Sequence, residues 1–211
     1  RFIGFGGSST QEQLEDICRT LDIHKSSIVH GTMSRRDLEL SIIEDFSGLP
    51  RRNEEWTKGK GTLLVYLMAT IFRMVDKDPT HRGVIVWCES KAACRKFCAQ
   101  LNIFLQTKSS TTGRQHAAYL YYNNNSLYSM KATLRMYGDP AHPCDILIGT
   151  VAFALGLNLP PTQSVLAKGS LNLISLMWQL FGRANRTRDA SSTGEAMMVV
   201  SYKKYINDII R

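Results

Sequence analysis

The residues with the clearest chemical potential are Gln179-Leu180-Phe181-Gly182-Arg183-Ala184-Asn185-Arg186. They read Q-x-x-G-R-x-x-R, with two arginines three apart behind a glutamine and a glycine. A guanidinium is always charged and presents a planar fork of donors that matches phosphate oxygens. Two such forks on one short turn suit a polyphosphate whose charge shifts during transfer. An arginine that reaches a transferring phosphoryl group is worth roughly 10³–10⁵ in rate. The plainer reading is a solvated basic loop, since most such charges face water. The elements around the block have to decide between the two.

The chain has 211 residues and a formal net charge of +8, which favours a polyanionic partner. Residues 1–60 hold nine Lys/Arg against ten Asp/Glu, and residues 61–211 hold seventeen against eight. The basic character therefore belongs to the later part; its plainer meaning is general solubility. No apolar run approaches the ~18 residues of a membrane span, so no membrane partner is expected. Arg1-Phe2-Ile3 reads as if it began inside a longer chain. The five cysteines form no C-x-x-C pair, which points away from a disulfide framework or zinc knuckle and towards a reducing compartment. Cys94 and Cys98 share a predicted helix face with Phe97 and Leu101, so they read as core rather than as metal ligands. The five histidines have no ligand spacing, and no metal site is expected.

Taken in order, Phe2 to Gly7 reads as a strand, and Thr10 with Gln13 as a capping box opening a helix with Leu14, Ile17, Cys18 and Leu21 on one face. Ser26 to His30 is a short strand. Residues 33–37 are a polar crossing, and Leu38 to Ile43 returns to strand character. Residues 44–61 read as a polar loop. Its Lys58-Gly59-Lys60-Gly61-Thr62 fails as a phosphate loop, because Lys60 is followed by Gly and the upstream glycine is missing. Leu64 to Val75 is an amphipathic helix. Residues 83–88 are a continuous apolar run, typical of a central parallel strand. Ser90 caps a helix with Cys94, Phe97, Cys98 and Leu101 inward. Gln115 to Tyr121 is a strand, Asn123 to Asn125 a turn, and Leu127 to Tyr137 a helix stopped by Gly138 and Pro140. Strands at 145–150 and 162–167, a helix at 171–181, a strand at 194–202 and the start of a helix at 203–211 complete the chain. Alternation of this kind implies a parallel sheet with helices on both faces. Ligands gather at the carboxyl ends of such strands, and Ser90, Thr150 and Arg183/Arg186 are expected to share one edge there. Trp87 reads as core. Tyr121, Tyr122 and Tyr128 read as core or turn packing, with base stacking beside Lys131 and Arg135 as the alternative.

Three blocks give the chain a family likeness. Residues 83–90 (Gly-Val-Ile-Val-Trp-Cys-Glu-Ser) resemble motif IV of superfamily 2 helicases. Residues 148–160 resemble motif V, including the A-F-x-x-G-x-N-x-P run of RecQ-like DNA helicases. Residues 179–186 resemble motif VI. The chain thus resembles the second RecA-like motor domain of a RecQ-like helicase, an α/β fold, preceded by the tail of the first. The resemblance divides it into residues 1–33 and 34–211, with Phe2 to Ser8 at the place of motif III and Arg35 where the interdomain crossing carries an arginine. Departures are Gly6-Gly7-Ser8 for motif III, Tyr119-Leu120-Tyr121-Tyr122 for a Tyr-His-Ala-Gly, Arg36 for a proline, Ala154 for a motif V glycine and Asn185 for a motif VI glycine. Where a backbone needs φ > 0, Asn is the least costly side chain after Gly.

By this resemblance the full protein is an ATP-dependent DNA helicase that moves 3′ to 5′ on single-stranded DNA and separates strands. ATP and Mg²⁺ would sit between two motor domains, with the phosphate loop and the magnesium-binding acidic motif in the first. Arg186 is then the arginine finger, and Arg183 and Gly182 contact phosphate. Gln179 couples nucleotide state to closure. Ser90, Lys91, Thr150 and Asn158 touch the nucleic-acid backbone. The partners implied are DNA and the first RecA-like domain; a nuclear location follows for a eukaryotic source. Two alternatives stand beside this: a decayed helicase-like module that binds without ATP turnover, and a superfamily 2 helicase acting on RNA.

Overall fold

The computed structural model describes residues 15–16, 18–20, 35, 37–45, 59–76, 83–108, 110, 113–122, 126–139, 141–150, 159, 162–169, 174–185 and 193–201. Among them run, in order, β1 (Leu38–Asp45), α1 (Gly59–Asp76), β2 (Val84–Cys88), α2 (Lys91–Gln106), β3 (Ala117–Tyr121), α3 (Leu127–Gly138), β4 (Cys144–Gly149), β5 (Ser164–Lys168), α4 (Ile174–Phe181) and β6 (Gly194–Ser201). Residues 15–16 and 18–20 are helical and Cys18 is buried, in keeping with the helix expected there. The strands expected at 2–7 and 26–30, the asparagine turn and the closing helix at 203–211 lie outside the described residues.

The strands form one six-stranded sheet in the order β1-β6-β5-β2-β4-β3, parallel throughout. Strand β2 lies between β5 and β4, and all five of its residues are buried. A strand covered on both faces has no solvent side, which is why its sequence is an unbroken apolar run. Its side chains alternate between two cores. Val84, Val86 and Cys88 meet α1 and α2 through Leu67, Ile71, Val75, Phe97 and Leu101. Ile85 and Trp87 meet the opposite layer through Tyr137 of α3 and Leu180 and Phe181 of α4. Each fully buried aliphatic such as Ile71, Leu101 or Leu180 contributes about 1.5–3 kcal/mol.

Two differences from the sequence reading have simple causes. The polar stretch expected to be loop from residue 44 is still strand through Asp45, because β1 is an edge strand that pairs with β6 to its last residue, Asp45 against Ser201. Helix α1 likewise starts at Gly59, ahead of the amphipathic pattern, since a first turn does not have to bury anything. The aromatics divide clearly: Trp87, Tyr121 and Tyr122 are core at 5%, 1% and 8% exposure, whereas Tyr128 on α3 is 84% exposed.

At the other edge, the register of β3 against β4 shifts between Ala117 and Ala118. Asn102 of α2 occupies that irregularity. Its Nδ2 donates to the Ala118 carbonyl at 2.9 Å, and its Oδ1 accepts the Ala118 N–H at 2.8 Å. Below it, His116 uses both ring nitrogens, on Asp145 Oδ2 at 2.8 Å and Asp76 Oδ1 at 3.4 Å. Arg114 adds a 2.8 Å bond to Asp145 Oδ1, and Ser110 donates to Asp76. This buried polar group ties the end of α1 to the starts of β3 and β4.

Asn102→Leu keeps side-chain size but leaves both polar groups of Ala118 without that partner. It is expected to lower unfolding free energy by about 1–3 kcal/mol, read as a lower urea midpoint at unchanged slope.

Candidate functional site

The arginine block is set by the way α4 ends. Its eight residues are strongly apolar, and Leu180 and Phe181 bury against the sheet. Gln179 stays half-buried on the same helix. Gly182 N–H still bonds the Trp178 carbonyl at 2.8 Å in helical fashion. Arg183 N–H then bonds Leu180 and Ala184 N–H bonds Phe181, both at 3.0 Å, which tightens the last turn. Asn185 ends it with φ of +45°, the left-handed conformation that helix ends favour. Here an asparagine does what glycine would do, consistent with its place in the block. Its N–H leaves the helix and bonds the Thr162 carbonyl at 2.8 Å, and the Thr162 hydroxyl meets the buried Tyr137 hydroxyl at 2.9 Å. Burial raises the Tyr137 pKa above the ordinary tyrosine range, which keeps that pair neutral.

Arg35 holds the turn from the other side. Its Nε and Nη2 each donate to Asp37, at 2.9 Å to Oδ1 and 2.9 Å to Oδ2. The same Nη2 donates to the Ala184 carbonyl at 2.7 Å and to the Asn185 carbonyl at 3.5 Å. The Asp37 carbonyl in turn accepts the Gly194 N–H at 2.8 Å, at the first residue of β6. Gly194 has to be glycine: a Cβ there would stand 2.7 Å from Asn185 Cβ and 3.2 Å from its backbone nitrogen.

These contacts place the turn at the amino ends of β1, β5 and β6. Ser90 and Lys91 follow β2 and Thr150 follows β4, so they lie at the carboxyl ends of neighbouring strands, where Trp87 pairs with Gly149. The expectation that all of these residues share one edge is therefore corrected. A helix returning from one parallel strand to the next starts at the carboxyl edge and ends at the amino edge, and the block sits at the end of α4 rather than at its start. Five strand residues, about 17 Å, separate the two edges.

On the carboxyl edge, the Ser90 side chain caps α2 by accepting the Ala93 N–H at 3.1 Å, and Ser90 is exposed. Lys91 opens that helix, and Thr150 is half-buried. Lys168 ends β5 beside them, with its ammonium 5.7 Å from the Phe97 ring centre. The sequence reading missed Lys168. A lone lysine closing an apolar strand carries no motif, and only the β5–β2 register reveals its neighbours. Arg186 and Asn158 lie outside the described residues. No cluster of metal-ligating side chains occurs among the described residues.

Neither a protein-family profile nor a curated protein sequence matches the chain. Solved structures do. Domain 2 of the DEAD-box helicase Mss116p, bound to an RNA duplex, superposes with a TM-score of 0.58 at 11% identity, over 80% of this chain and 56% of that one. The C-terminal domain of the DEAD-box protein Dbp5 gives 0.55 at 15% identity, over 83% of each chain. The fold is thus the RecA-like fold of helicase C-terminal domains, and the chain spans little more than half of the first of these structures.

Gly194→Ala forces a methyl group onto Asn185 and its backbone. It is expected to lower stability by about 1–3 kcal/mol, seen as a drop in the chemical-denaturation midpoint.

Proposed function

We propose that residues 34–211 are the second motor domain of an ATP-dependent superfamily 2 helicase, RecQ-like and acting on DNA, with residues 1–33 the tail of the first. The observation that carries this reading is the position of the arginine turn. An arginine at the amino edge cannot serve a ligand bound at the carboxyl edge of its own sheet. It suits a phosphate held by another body packed against that edge, which is the arrangement of an arginine supplied across a domain boundary. The carboxyl edge is then left for a second ligand. Ser90, Lys91 and Thr150 there suit a nucleic-acid backbone, which is recognised by charge and without regard to sequence, and Asn158 is expected to join them.

The residues present fit the polyphosphate part of ATP: Arg183 and Arg186 are permanently charged and three positions apart in sequence, and Gln179 sits a turn before Arg183. Gly182, next to Arg183, is the further phosphate contact in this reading. ATP, when bound between the domains, supplies the phosphoryl group that water takes. Arg186 as finger and Arg183 beside it stabilise the charge that develops there. Mg²⁺ ligands belong to the first domain in this reading. The A-F-x-x-G-x-N-x-P run favours DNA as substrate, while the Mss116p structure with its RNA duplex gives RNA a place in the test.

The experiment is nucleic-acid-stimulated ATPase activity of the full-length protein, with single-stranded DNA and RNA compared and Arg186→Ala beside wild type. Stimulation by DNA, with a loss of about 100-fold or more in the variant while ATP still binds, is the expected result. Stimulation by RNA alone moves the substrate. A wild type that binds nucleic acid without turnover makes the chain a binding module.

A further inference from the structure

We infer that Arg35 is a positioning residue for the arginine turn and links that turn mechanically to the crossing from the preceding domain. The inference rests on the motor reading above. Its ground is the 2.7 Å bond from Arg35 Nη2 to the Ala184 carbonyl, made across 149 positions of sequence.

Each N–H of the turn is already committed. Those of Gly182, Arg183 and Ala184 go back into α4, and that of Asn185 goes to Thr162 at the start of β5. Arg35 grips the carbonyl end of the turn. The grip is preset, because Asp37 takes Nε and Nη2 in a two-pronged pair that fixes the plane of the guanidinium. Asp37 is itself pinned to β6 through Gly194. The half-buried Arg35 thus has its charge matched by a carboxylate, and the Nε–Nη2 edge of its fork is occupied inside the protein. This is the arrangement of a holder rather than of a phosphate contact.

The crossing reaches Arg35 two residues before Asp37, three before β1 begins. A displacement of the crossing relative to the sheet therefore pulls on the carbonyl of Ala184, next to Arg183 and two residues before Arg186. A shift of about 1 Å in a reacting group is enough to change a rate by about 100-fold. Position of the crossing and alignment of the arginines are coupled through one bond.

The test uses full-length protein and compares wild type, Arg35→Ala, Arg35→Lys and Arg186→Ala. It reads kcat and KM for ATP at saturating nucleic acid, with nucleic-acid affinity and unfolding midpoint measured alongside. Arg35→Ala is expected to lower kcat by about tenfold or more, with KM and nucleic-acid affinity within about threefold of wild type. Arg35→Lys, which keeps one donor but loses the fork, is expected to fall between the two. If Arg35→Ala does not fold, Arg35→Lys decides alone: a kcat reduced by about threefold or more at unchanged KM supports positioning, and a wild-type kcat overturns it. A wild-type kcat in Arg35→Ala, with Arg186→Ala inactive, overturns the inference and leaves the motor reading standing. A wild type without stimulated turnover overturns both.

Discussion

Every strand in this sheet runs the same way, so no two neighbours can be joined by a tight turn. Each strand must be followed by a path that climbs back to the starting edge, and α1, α2, α3 and α4 lie on four of these paths. This constraint gives the molecule its two layers of helix, its doubly covered central strand and its two unlike edges. Segments that leave strands gather on one edge, and segments that enter strands gather on the other. Ser90, Lys91 and Thr150 belong to the first set; Arg35, Thr162 and the turn of Arg183 belong to the second. Two unlike edges about a strand's length apart are thus a property of the topology before any side chain is considered.

The fold was largely legible because the signals were local and periodic. Residues 83–88 are apolar at every position, and they form a strand buried on both faces. Cys94, Phe97, Cys98 and Leu101 repeat at helical spacing, and all four are buried on α2. The polar end of β1 and the first turn of α1 were not legible, since an edge pairing leaves no pattern and Gly59-Lys60-Gly61-Thr62 carries no helical periodicity. The geography of the candidate site was not legible. The spacing of glutamine, glycine and arginines identifies the block. Which edge it occupies depends on whether a helix start or a helix end carries it, and motif order does not encode that. The Asp76–His116–Asp145 group was invisible for a related reason: its members are scattered through the sequence and meet only when β3 and β4 pair.

Asn185 shows how a side chain can stand where the backbone favours glycine. The position has φ of +45°, where most side chains are strained, and the residue present is the one that tolerates it best after glycine. The turn is kept by its backbone bonds to Thr162, by the close approach of Gly194 and by the grip of Arg35. Substitution at that one position therefore leaves the geometry of the arginine segment in place.

The same bond has a meaning for how the chain reaches its native state. Strand β1 comes early in the sequence yet pairs with β6, the last of the described strands, and the contact of Arg35 with Ala184 closes a loop of nearly the same length. The entropy of closing so long a loop is roughly 4 kcal/mol beyond a constant. The edge formed by β1, β6 and the arginine turn has to wait for the distant segment to emerge. Contacts of this high order are the ones that slow folding.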